Sequence, residues 1–79
     1  MVDRTHHVLE RLPQHRRAIS ERMMVDREFR SLCDDHDDAL EALRRWEASE
    51  DRNRQIRTDE FRTLVEELEQ EIVRELGVS

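Results

Sequence analysis

Seventy-nine residues allow one domain, and a chain this short buries only about 60% of the surface it exposes when unfolded, so its core is thin. Hydrophobic residues are 35% of the chain and charged residues 43%, with one Gly, one Pro and no Tyr, a composition that starves β-turns and suits long exposed helices, so the fold class is all-α. The formal net charge of −6 disfavours binding to nucleic acid and to anionic membrane surfaces.

The first punctuation along the chain is Pro13, which disfavours helical geometry at Leu12 and itself suits the first turn of a new helix. Before it, Val8, Leu9 and Leu12 have the spacing of a short amphipathic turn; after it, Ile19 and Met23 continue an apolar stripe through 14–24. Residues 1–25 are therefore expected to form a short N-terminal helical arm broken at Pro13. Asp26 precedes Glu28 and Phe29 and is placed to cap a long helix over 26–48. Within it Phe29, Leu32, His36, Ala39, Leu43 and Trp46 follow a heptad seam, which Leu40 widens.

Between Trp46 and Ile56 the apolar pattern stops, and 49–55 is expected to be the turn. A second helix follows over 56–77, its start readable from about Arg54 or Thr58. Phe61, Leu64, Val65, Leu68, Ile72 and Leu76 form its stripe, and Gly77 is its C-terminal stop. A single continuous helix over 27–76 would instead put Glu50, Asn53, Arg57 and Glu60 on the seam, which a coiled coil does not tolerate without a partner built for them. The expected architecture is an antiparallel, coiled-coil-like helical hairpin with the arm attached, forming one domain over 1–79. Its interface is read as Phe29, Leu32, His36, Leu40, Leu43, Trp46, Phe61, Leu64, Leu68 and Ile72.

These residues resemble the YdcH-like family of small bacterial proteins of uncharacterised function. Leu12-Pro13-Gln14-His15-Arg16, then Ile19, Met23, Asp26, Phe29 and Leu32, are similar to the family's leading signature of an apolar residue, Pro, any residue, His or Tyr, and Arg, followed by spaced apolar anchors. His36-Asp37 with Leu43, Arg45, Trp46 and Glu47 resembles its aromatic-Asp pair and closing basic, apolar, Glu run, and Leu64-Val65-Glu66-Glu67-Leu68 is similar to a later Leu-Lys-Asp-Glu-Ile block. Two departures stand out: Ala39-Leu40 replaces the usual Leu-Asp, and the connection between the helices is shorter than the family's. The resemblance implies a stand-alone bacterial cytoplasmic helical hairpin with an N-terminal helical arm. It implies no activity and supplies no catalytic residues.

Charge is unevenly spread: residues 1–30 hold seven Arg against five acids, a balance of +2, and the remainder carries −8. All fourteen cations are Arg, scattered rather than clustered, which is a poor phosphate-binding pattern. Cys33 is the sole cysteine, so no intrachain disulfide forms; together with the lack of an apolar leader or of a run near ~18 apolar residues, this gives the expectation of a cytoplasmic protein without a membrane partner.

Cys33 to Asp38 is the densest set of metal-ligand residue types, and Cys33 with His36 could share a helical face around Zn²⁺. A closed site needs four ligands, and His6, His7 and His15 lie beyond two expected breaks. No metal, cofactor or catalytic residue is therefore expected, and His36 is read as packing on the seam with its polar tip exposed. The carboxylates lack an enclosed place to shift their pKa values, and Cys33 beside four Asp has a disfavoured thiolate, so no enzymatic role is expected.

What remains is surplus apolar surface. Either the arm folds onto the hairpin as a third layer, or copies of the chain cover one another. The preferred expectation is a protein–protein interaction module that self-associates as a dimer or tetramer, with Leu9, Leu12, Ile19 and Met23 as partner surface and another protein as a further partner. The alternative is a nucleic-acid-associated regulator using the Arg-rich arm.

Overall fold

The computed structural model describes residues 6–77. These are all-helical, in the order α1 (His7–Arg11), a 3₁₀ turn (Pro13–His15), α2 (Arg16–Val25), α3 (Arg27–Glu47) and α4 (Arg54–Glu75). The hairpin is α3 against α4, and the arm folds back so that α1 and α2 both pack on α3. The third-layer alternative is thus the one realised within the chain.

Each boundary has a local cause. Leu12, which precedes Pro13, leaves helical geometry at φ −126°, ψ 61°, and its N–H closes α1 on the Val8 carbonyl at 2.9 Å. Pro13 then opens the 3₁₀ turn. Asp26 is extended, and its Oδ1 accepts the Phe29 N–H at 3.1 Å, the cap expected of it. Gly77 closes the far end of α4 at φ 70°, donating its N–H to the Arg74 carbonyl.

The hairpin turn is made without glycine or proline. Ser49 Oγ accepts the Asp51 N–H at 3.0 Å, and Asp51 Oδ1 accepts the Asn53 N–H at 2.7 Å. Two short polar side chains thereby hold the reversal with backbone geometry open to any residue. The α4 helix starts at Arg54, earlier than position 56, and ends at Glu75 rather than 77.

The core has two parts. At the arm end, Val8, Ile19, Phe29, Cys33 and Ile72 are buried together, with Leu9, Leu12, Met23, Leu32 and Leu76 packed around them. At the turn end, Ala39, Leu40, Leu43 and Val65 are buried, flanked by Phe61 and Leu68. The division follows from the arm's length: α1 and α2 give the first cluster a third layer, while the second rests on two helices alone.

Two expectations are corrected, one for Leu64 and one for the arm residues Leu9, Leu12, Ile19 and Met23. Leu64 is 42% exposed and is not part of the hairpin core. The enclosed α4 residues are Thr58, Val65 and Ile72, one heptad apart, and Leu64 falls to the side of that line. Ile19 is fully enclosed within its own chain, and Leu9, Leu12 and Met23 are half-buried against the same cluster, so this set is not a free partner surface. The arm covers itself by docking in cis.

Candidate functional site

Four polar links fasten the arm to the hairpin. His6, almost fully buried, places Nε2 2.7 Å from Asp34 Oδ1. The His7 backbone N–H donates to Asp37 Oδ1 at 2.7 Å, while its ring Nε2 lies 3.5 Å from Glu41. Arg11 Nε donates to Glu69 Oε2 at 2.8 Å. Arg22 reaches three elements at once: its Nε donates to Asp26 Oδ2 at 2.9 Å, its Nη1 to the Glu75 carbonyl at 3.0 Å, and its guanidinium lies 5.5 Å from the centre of the Phe29 ring. Arg22 therefore joins the end of α2, the cap of α3 and the C-terminus of α4, where the exposed carbonyls favour a cation.

Glu69 is the junction between arm and hairpin. Besides Arg11 it accepts from His36 Nε2 at 2.8 Å, and His36 is completely enclosed. Burial on its own pushes the Glu69 carboxyl up, but hydrogen bonds from Arg11 and His36 outweigh it and hold the group below its ordinary value. The same hydrogen bond, donated by Arg11 to Glu69, raises Arg11. Glu69 is thus an ionised anchor, the wrong state for a general acid near neutrality. Burial, then the neighbouring Asp37 and Asp34, pushes the Cys33 thiol up to about 12, so it is not an activated nucleophile.

His36 differs from its expected role. It lies on the seam, but its tip is not exposed: Nε2 is spent on Glu69, and Nδ1 has no hydrogen-bond partner among the described residues. His6 and His7 are not set apart from the acidic run either, because the chain reversals after Arg11 and Val25 bring the arm back alongside α3.

The remaining interface residues fall as follows. Phe29, Leu40, Leu43 and Ile72 are buried, and Leu32, Trp46, Phe61 and Leu68 are half-buried. On the hairpin, Asp35, Asp38, Ala39, Phe61, Leu64 and Leu68 line a shallow groove to which the arm contributes nothing. Met24, at 84%, and Val25, at 83%, are exposed at the corner between α2 and α3.

Sequence reasoning missed the clamp residues His6, Asp34, Asp37, Glu69, Arg11 and Arg22. One signal was present: Asp37 stands four residues after Cys33 and three before Leu40, on one helical face with them, so a buried carboxylate was readable from spacing. The partners on the arm and on α4 required the tertiary fold.

No helix among the described residues is long and apolar enough to cross a membrane. No family model, curated protein or solved structure matches the chain.

Proposed function

We propose that this protein is a non-enzymatic, cytoplasmic interaction module that self-associates through the side of the hairpin the arm leaves uncovered. The observation that carries the reading is the groove of Ala39, Phe61, Leu64 and Leu68, an apolar strip over the two-layer half of the core, bordered by Asp35 and Asp38. The arm-end cluster already has its third layer. A second copy laid along α4 supplies the equivalent layer at the turn end and removes from water the side chains that one chain keeps wet. The resemblance of Leu12 to Arg16 and of the following anchors to the YdcH-like signature belongs to the same reading: a small bacterial helical hairpin without chemistry of its own.

The nucleic-acid alternative draws less support, because Arg11 and Arg22 are engaged by Glu69, Asp26 and the α4 terminus, and Arg17 by Glu21. Sedimentation equilibrium at micromolar concentration tests the proposal. The native chain is expected to run as a dimer or tetramer and Leu64→Asp as a folded monomer; a native chain that is strictly monomeric with a cooperative melt overturns it.

A further inference from the structure

The crook between the arm and α3 gathers three metal-ligand donors. His6 Nε2, a carboxylate oxygen of Asp34 and one of Asp37 all lie within 4.8 Å of one another. His6 is almost fully buried, Asp37 completely so, and Asp34 half-buried. Asp34 and Asp37 are three residues apart on α3, so one rigid helix presents both carboxylates on the same face. The imidazole comes from the opposite wall, held there by Val8 in the core and by the His7 N–H on Asp37.

A second observation at the same place points to a cation. The His36 imidazole is fully enclosed, and its Nε2 stands 2.8 Å from Glu69 Oε2. Its Nδ1 lacks a hydrogen-bond partner and stands 3.9 Å from Asp37 Oδ1, too far for a hydrogen bond. A cation held by Asp37 places positive charge beside this enclosed, unpartnered nitrogen.

We propose that His6, Asp34 and Asp37 form a binding site for a divalent transition ion of the zinc class, which pins the N-terminal arm to α3. One imidazole with two carboxylates is a mixed nitrogen and oxygen set, which suits zinc and its neighbours; calcium and magnesium are bound by oxygen alone. Tetrahedral zinc ligands stand about 3.3 Å apart, so the ion opens the 2.7 Å contact of His6 with Asp34 slightly and takes the place of their hydrogen bond, while a neutral imidazole carries its N–H on Nδ1. Three protein donors leave the fourth position to water.

The test uses the full untagged chain, stripped with EDTA and titrated with ZnCl₂. The expected results are one equivalent bound in calorimetry and a melting temperature raised by roughly 10–20 degrees at a hundredfold excess over Kd. His6→Gln and Asp34→Asn, both confirmed as folded by far-UV circular dichroism in EDTA, are expected to lose the shift, and His15→Gln to keep it. Co²⁺ is expected to give visible absorption bands in the native chain that His6→Gln removes. Absence of binding by the native chain overturns the proposal, as does undiminished binding by folded His6→Gln.

Discussion

Removing the Glu69 carboxylate tests the clamp at the point where arm and hairpin share one side chain. In Glu69→Ala two interactions go together. The His36 contact, 2.8 Å long with its imidazole fully enclosed, belongs to the class of charged-acceptor hydrogen bonds worth about 1.5–3 kcal/mol. The Arg11 contact involves a side chain 43% exposed, so solvent and salt reduce it to less than about 1 kcal/mol. The sum is about 1.5–4 kcal/mol. In a domain of this size that lowers the melting temperature by roughly 6–30 °C, and Glu69→Gln, which keeps a neutral acceptor, costs about half as much. The pH dependence has a definite sign. The folded carboxyl titrates below its ordinary 4.5, so its contribution is complete above that value and is lost as the pH falls through the lower folded value. Thermal melts followed by far-UV circular dichroism are therefore expected to separate native and Glu69→Gln protein fully at pH 7 and to converge in acid. An unchanged melting temperature for Glu69→Ala at pH 7 refutes the reasoning.

Leu40→Ala, at a position only 3% exposed, is expected to cost about 2–5 kcal/mol in a denaturant melt, whereas Leu64→Ala on the open groove is expected to leave monomer stability almost unchanged. Cys33, whose thiol is pushed up to about 12, is expected to resist a thiol-reactive dye at pH 8 in the folded protein and to react promptly once denatured. Asp26→Ala removes both the cap of α3 and the Arg22 partner, and is expected to melt lower than Asp26→Asn, which keeps the cap alone. The carboxyl of Asp26 is held below its ordinary range, first by the Phe29 N–H and then by Arg22, so its contribution also disappears as the pH falls. Gly77→Ala forces a Cβ into left-handed geometry and is expected to cost about 1 kcal/mol, read as fraying of the last turn of α4 by amide exchange.

Helix boundaries were legible where a single residue carries the physics: Pro13 for the break, Asp26 for the cap, Gly77 for the stop. The hairpin was legible because polar residues 47–55 interrupt two apolar stripes. The position of Leu64 was not. On α4 a broad apolar face can be turned toward α3 in more than one way, and the choice of Thr58, Val65 and Ile72 as the enclosed line is made by packing. The arm's docking was also out of reach, since Ile19 and Met23 are equally apolar whether their own hairpin or a neighbour covers them. For the same reason the polar clamp stayed hidden: Glu69 is one carboxylate among twenty acidic residues until α4 lies beside both His36 and Arg11.

Docking of the arm onto its own hairpin underlies the clamp, the metal site and the open groove alike. Paired spin labels at Glu10 and Gln70, in a Cys33→Ser background and diluted with an excess of unlabelled chain, measure it. One short distance that survives dilution is expected; a distance that disappears on dilution, or one that is long and broad throughout, rules out docking of the arm on its own hairpin.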